Sequence, residues 1–300
     1  MIYINEEQVI KLLSVKDCIE VLRNAFALEY INIPRYRLKS KNSLLHVMSA
    51  SMPSLMVMGL KSYGTSRGGG SFVVLLFDEP SGELLAVFEA DALGQIRTGA
   101  ASGLATDLLA NSDSRIGAVI GTGWQAETQL LALDAVRDFK EIRIFSRSAD
   151  SRKEFITKMQ PQVKAGLRNT ASAEECARDA DVIATITSSK EPVLMGDWVK
   201  PGAHINAAGS NSFARRELDA ECIRKAGLIV TDQREQSKIE SGDLAGVLTD
   251  DGWNHVYELS EVVKGACKRQ NHEQITIFKS NGIALEDVAA AHYIYSRIKP

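Results

Sequence analysis

From Ile116 onward the chain alternates short apolar runs with helix-like stretches, and this rhythm restricts its possible folds more than any other feature. Ile116–Gly121, Glu141–Ser146, Val182–Thr187, His204–Gly209 and Leu228–Asp232 read as strands, and Ile275–Lys279 as one more. Helical patterns such as Ala126–Val136 and Ala173–Asp179 lie between them. Repetition of this kind builds a parallel sheet with helices on its faces. The first third is mixed instead. Asp17–Tyr30 has helical spacing, while Leu44–Met48, Phe72–Asp78 and Leu84–Glu89 read as strands, the last two joined by a turn at Asp78–Glu83. Phe72–Phe77 is apolar throughout, which predicts a strand covered on both faces. Gly68-Gly69-Gly70 reads as a connecting loop, and Thr98–Leu109, rich in small residues, as a tightly packed helix. Asn111–Ser114 then breaks the pattern, so two domains are expected, 1–112 and 113–282, followed by an amphipathic helix at Ala284–Ile298.

A chain of 300 residues is long enough for such a pair. The net charge of -3, with both signs scattered, argues against a nucleic-acid partner, which needs a clustered basic face. The first residues lack the basic start of a signal peptide, and no apolar run approaches the roughly 20 residues that span a bilayer. Cys18, Cys176, Cys222 and Cys267 lie far apart with no C-x-x-C pair, so reduced, buried thiols in a cytoplasmic protein are expected, and no metal site.

The first of the later strands runs directly into Gly121-Thr122-Gly123-Trp124-Gln125-Ala126. In a GxGxxA loop the first glycine permits the tight turn, the second lets the backbone approach a pyrophosphate, and the third small residue lets the helix pack on the sheet. The helix start adds free N–H groups and a positive dipole end. Strand before, helix after and further units beyond make this a dinucleotide site in a Rossmann-type, doubly wound α/β domain, beside a smaller α+β domain. Such domains usually end their second strand with an acid for the ribose 2′-hydroxyl. Here Ser146-Arg147 stands there, which favours the 2′-phosphate of NADP(H) and leaves NAD(H) open. Thr98, Thr187, Ser188, Asn211 and Ser280 complete the candidate cofactor set.

Arg35, Lys61 and Arg97 stand out in the first domain as cations within apolar sequence. Each needs a partner, either an internal carboxylate or a bound one. Here the chain resembles the ornithine cyclodeaminase/mu-crystallin family. The resemblance rests on the Pro34-Arg35 region, Arg97-Thr98-Gly99-Ala100-Ala101-Ser102, the glycine loop, Asn206-Ala207-Ala208-Gly209 and Ala284-Leu285-Glu286-Asp287. It implies a homodimer whose substrate and dimerisation domain, residues 1–112, is completed by the C-terminal helix within 283–300. It implies too that Arg35 and Arg97 hold a substrate α-carboxylate, and that Lys61 binds it or donates a proton. His46 falls where ornithine cyclodeaminases carry a substrate-contacting glutamate. Asn211 falls where they carry an acid/base aspartate, and an amide cannot take up that proton. Both departures turn the expectation from cyclisation of ornithine to reduction of an α-imino acid, or oxidation of an L-amino acid, by NAD(P)(H). A cyclodeaminase with bound NAD and a crystallin-like NADPH-binding protein without catalysis are the alternatives. Met48, Met56, Met58, Phe213 and His46 are candidates to line the substrate pocket, core packing being the other role for the methionines. Asp232 and Glu240 read as solvated or capping charges.

Overall fold

The computed structural model describes residues 1–66 and 68–298. Lys299 and Pro300, the end of the expected C-terminal segment, lie outside the described residues. The chain forms two compact units: Met1–Arg97 with the segment from Gly282 onward, and Thr98–Asn281. The division falls within one helix, Asp91–Leu109, rather than at the polar stretch after it. Small residues give the second half of this helix a flat surface. A Cβ added to Gly99 would lie 2.4 Å from the Thr128 carbonyl oxygen, so the helix backbone touches its neighbour.

In the first unit, strands β1 (Ile2–Ile4), β2 (Ile31–Lys39), β3 (Ser43–Met52), β4 (Val57–Ser66), β5 (Gly69–Asp78) and β6 (Leu84–Glu89) form one sheet in the order β1-β6-β5-β4-β3-β2. Only the β1–β6 pair is parallel. Side chains alternate across the pleat. Met48, Ala50, Met52, Val57, Val74, Leu76, Ala86 and Phe88 are buried on one face. Helix Ala284–Ile298 covers that face and packs on helix Val15–Ala27, which buries Cys18, Ile19, Leu22, Ala25 and Phe26 at helical spacing. The other face carries exposed Ile31, Ile33, Tyr36, Leu38, Leu45 and Val73. The apolar run at Phe72–Phe77 is therefore covered on one face only, because helices pack on one side of this sheet. Gly69 and Gly70 are not loop residues either: β4 and β5 pair as far as Ser66 and Gly69, and the φ of +125° at Gly69 lies in the region glycine favours.

The second unit holds eight parallel strands: β7 (Ile116–Ile120), β8 (Glu141–Phe145), β9 (Gly166–Asn169), β10 (Val182–Thr185), β11 (His204–Ala207), β12 (Ala226–Thr231), β13 (Val256–Glu258) and β14 (Ile275–Lys279). Their order is β13-β12-β14-β11-β10-β7-β8-β9. Strand order reverses at β7, so a crevice opens at the carboxyl ends of β7 and β10, where ligands bind doubly wound sheets. This is the expected Rossmann-type α/β fold. Strands β7, β8, β10 and β11 stop one or two residues early, leaving Gly121, Ser146, Thr187 and Gly209 free to begin loops at that end. Asp232 and Glu240 are not solvated. Both are buried, Asp232 accepting from the Asn281 backbone N–H at 2.7 Å and Glu240 from Gln236 at 3.1 Å. Among the described residues the four cysteines are free and buried, no group of His, Cys, Asp and Glu could hold a metal ion, and no helix is long and apolar enough to cross a membrane.

Candidate active site

The three cations of the first unit are brought onto the covered face of its sheet. Arg35 reaches it through an irregularity. The β2–β3 register shifts between Ile33 and Tyr36, so Asn32 and Arg35 both turn inward although three residues apart. Lys61 sits inward in β4 by plain alternation with Val57 and Gly59. Arg97 lies on helix Asp91–Leu109. All three are buried, and acids from helix Ala284–Ile298 meet two of them. Lys61 Nζ lies 2.7 Å from Asp287 Oδ1, Arg97 Nε lies 3.1 Å from the same oxygen, and Arg97 Nη1 lies 2.7 Å from Glu286 Oε2. Arg35 donates to the Gly282 carbonyl at 2.7 Å. Asp287 Oδ2 is buried and has no hydrogen-bond partner.

These charges set one another's proton affinities. Burial pushes the Lys61 ammonium below its ordinary range, and the Arg97 and Arg35 charges add to that, while Asp287 works the other way. Burial alone would raise the Asp287 carboxyl, but Arg97 and Lys61 together hold it below the usual carboxylate range. Two glycines give the cations room. A Cβ on Gly94 would lie 2.6 Å from Lys61 Nζ, and one on Gly282 (φ +74°) would lie 2.5 Å from Arg97 Nη1. Glu286, Asp287, Gly94 and Gly282 were not among the predicted site residues. Glu286 and Asp287 were signalled by two adjacent acids in the apolar first half of that helix, and the two glycines by nothing in the sequence.

His46 stacks face to face on Tyr63, with ring centroids 4.2 Å apart, and Tyr63 stacks on Phe72 at 4.9 Å. The three are cross-strand neighbours in β3, β4 and β5, one step along from Met48, Lys61 and Val74. Lys61 Nζ lies 5.6 Å from the Phe72 ring centroid. Burial drives the His46 imidazole down to about 4, and the nearby Arg37 and Arg35 charges act the same way, so the ring is neutral at pH 7. Of the methionines proposed for a pocket, Met48 is in the core, Met56 is exposed in a turn, and Met58 faces the open side of the sheet. Phe213 is exposed.

In the second unit the glycine loop has the geometry that the motif requires. Gly121 has φ +124°, and a Cβ there would lie 2.2 Å from the Ile186 carbonyl oxygen. A Cβ on Gly123 would meet nothing within 4 Å, so open space lies where a pyrophosphate approaches. Gly123 caps helix Trp124–Val136 with no side-chain bond to the first N–H groups, and Ala126 is fully buried beneath. Gln125 and Trp124 occupy the first turn, Trp124 partly exposed. The loop therefore fits a dinucleotide, which Gly121, Thr122 and Gly123 and that helix start would hold. Thr122 donates to Ser146 across the end of β8 at 3.0 Å, and Arg147 beyond it is exposed. Arg152 donates to Asn169 at 2.7 Å and to the Ser146 carbonyl, which braces that strand end. The Thr98 carbonyl accepts from Gln129 at 3.3 Å. Ser188 and Asn211 are exposed beyond β10 and β11, and Ser280 is buried at the end of β14. Thr187 differs from a freely presented ligand: its hydroxyl donates to Glu217 and accepts from the Ser189 N–H.

A sequence model of the "ornithine cyclodeaminase/mu-crystallin family" matches residues 2–300. The chain belongs to this family. Among its members, ketimine reductase mu-crystallin of Mus musculus is 41% identical over 222 residues, which are 74% of this chain and 68% of that protein. The family fold extends over the whole chain. Thermococcus litoralis Δ1-pyrroline-2-carboxylate reductase, solved with NADH and L-proline, superposes with a TM-score of 0.93 at 31% identity, covering 99% of this chain and 97% of that one. An archaeal alanine dehydrogenase dimer with bound NAD superposes with a TM-score of 0.91 at 31% identity, over 98% and 94% of the two chains.

Proposed function

We propose that this protein is an NAD(P)H-dependent reductase of a small α-imino acid, or equivalently a dehydrogenase of an L-amino acid. One observation carries the reading. Two buried cations, Lys61 and Arg97, share one oxygen of Asp287, while its other oxygen is buried with no partner. A ligand bearing a carboxylate and a nitrogen that carries N–H as the amine or the protonated imine suits such a cluster, since it answers the cations with one end and the orphaned acceptor with the other. An α-imino or α-amino acid is the smallest molecule of that kind. Arg35 and Arg97 hold the carboxylate, and the neutral His46–Tyr63–Phe72 stack flanks the side chain. A nicotinamide cofactor, when bound, would supply or accept a hydride at the α-carbon. Lys61 delivers the accompanying proton to the imine nitrogen, so that C=N plus hydride plus proton gives the amine. Asp287 keeps Lys61 protonated despite its burial.

NADPH is the reading we favour for the cofactor. Ser146 and exposed Arg147 stand at the end of β8, without the acid that would repel a 2′-phosphate. We also read the open face of the first unit's sheet as the seat of a second copy. It presents a row of exposed apolar side chains and a cavity of about 380 Å³ lined in part by Ile31, Ile33, Met58, Leu60 and Phe77, and the related alanine dehydrogenase is described as a dimer. Four buried, free thiols fit a reducing compartment such as the cytoplasm.

The test is to mix the protein with NADPH or NADH and Δ1-pyrroline-2-carboxylate, Δ1-piperideine-2-carboxylate, or pyruvate plus ammonia, and to follow nicotinamide absorbance. Oxidation with one of them supports the reading. Ammonia released from ornithine without added NAD(P)H, or tight cofactor binding with no turnover of any substrate, overturns it.

A further inference from the structure

The second unit contains a buried polar cluster that the chemistry above does not use. Glu217 has no solvent exposure, yet its carboxylate accepts four hydrogen bonds. Oε1 takes the Thr187 N–H at 2.6 Å and the Thr187 hydroxyl at 2.8 Å. Oε2 takes the Gly209 N–H at 2.7 Å and the Thr185 hydroxyl at 3.0 Å. Glu217 is itself held. Its own N–H and that of Leu218 donate to Asp243 at 2.6 and 2.9 Å, and Asp243 pairs with Lys279 at 3.0 Å. Lys279, also fully buried, donates to the Ser210 carbonyl at 2.6 Å and the Ala207 carbonyl at 3.2 Å.

The bonds join two loops. One follows β10 and carries Thr187 and Ser188; the other follows β11 and carries Gly209, Ser210 and Asn211. They touch: a Cβ on Gly209 would lie 2.3 Å from Thr187 N and 2.4 Å from Glu217 Oε1. Both loops leave carboxyl ends on the β10 side of the switch point. The pyrophosphate belongs at the loop after β7 and the adenosine ribose at the end of β8, so the other half of a dinucleotide extends towards β10 and β11. Removing two carboxylates and an ammonium from water is costly, and three apolar parallel strands need no such cluster to pair. What the cluster adds is a single fixed arrangement of these two loops.

We propose that Glu217 is a positioning residue for the nicotinamide half of the cofactor. It acts through Thr187 and Gly209 and sets both loops at once. The inference rests on the reading that this chain binds a nicotinamide dinucleotide, and its test separates the two. Glu217→Gln keeps the shape but places an amide N–H among four donors. Thr185→Val removes one donor from a buried strand position. Each variant is titrated by calorimetry with NADPH and with 2′-phospho-ADP-ribose, which lacks the nicotinamide, or with NADH and ADP-ribose if the wild type binds that pair. Glu217→Gln weakens the whole dinucleotide about tenfold or more, the worth of one charge-assisted bond, and Thr185→Val does so to a smaller degree. Binding of the fragment changes less than twofold in both, which also shows that the unit is folded. Equal weakening of dinucleotide and fragment, or no change in either, overturns the proposal. Should Glu217→Gln fail to fold, Thr185→Val decides by the same criterion. A wild-type protein that binds neither molecule overturns the dinucleotide reading, and this inference with it.

Discussion

Replacing Asp287 with asparagine tests whether the acids of the last helix are there to charge the site. The new side chain has nearly the same shape, so what changes is one negative charge with no solvent exposure. Lys61 loses its carboxylate at 2.7 Å, while Arg97 keeps Glu286 at 2.7 Å. Breaking a buried ion pair by neutralising one partner costs about 3–5 kcal/mol. The lower end is expected here, for two reasons. Arg97 remains half satisfied, and Lys61, already pushed down by burial, can release its proton instead of staying charged. Both the cost and its pH dependence are readable from urea denaturation at a series of pH values. Asp287 has a depressed pKa in the fold, so its contribution is fully present above its ordinary value of 3.8 and is lost as pH falls through the folded value. The variant has no such charge to lose, so the gap of about 3 kcal/mol at pH 7 narrows towards acid. It narrows towards alkali as well, where Lys61 is neutral in both proteins. A gap below about 1 kcal/mol at pH 7, the worth of an exposed pair, would refute the reasoning, and so would a gap independent of pH. The same variant leaves less of Lys61 protonated and able to donate. Imine reduction therefore falls by about 100-fold or more, in kcat rather than in KM.

Gly282→Ala must adopt φ +74° and place a Cβ 2.5 Å from Arg97 Nη1, so the guanidinium moves; KM for the carboxylate substrate rises while binding of 2′-phospho-ADP-ribose stays the same, and an unchanged KM would count against Arg97 as a carboxylate ligand. Arg147→Ala removes the exposed guanidinium beyond β8; KM for NADPH rises about 10–100-fold, the value of a charge-assisted pair, with KM for NADH unaltered, and equal effects on both would refute a 2′-phosphate role. Burial drives the fully enclosed His204 down to about 3, with the Arg269 charge acting the same way, so the fold holds it neutral while the unfolded chain protonates it below its ordinary 6.5. Stability then falls by about 1.4 kcal/mol per pH unit from this residue as pH drops from 6.5 towards 3, and urea denaturation of His204→Gln shows a shallower slope.

Much of the second unit was legible because local sequence carries its pattern. Ile275–Lys279 was read with the bounds it has, as was Ala284–Ile298 of the first unit, and the glycine loop after Ile116–Ile120 announced the tight turn and the helix start behind it. The first unit was harder. Strand β4 was hidden by glycines and by a lysine at an inward position, and β2 by its register shift. Strict alternation would have turned Pro34 and Tyr36 inward with Asn32; the irregularity turns Arg35 inward instead.

The sequence by itself determined the parallel sheet, the glycine loop after β7, the missing acid after β8 and three cations in apolar surroundings, because each is written in neighbouring residues. It could not supply partners. Lys61 and Asp287 are 226 positions apart, and only the packing of the last helix on β4 makes them a 2.7 Å pair. Glu217, Asp243 and Lys279 likewise meet only where three strands end. A lone buried charge is unstable in any fold, so sequence can tell that a partner exists. Which residue it is depends on distances through space, and those belong to the tertiary structure alone.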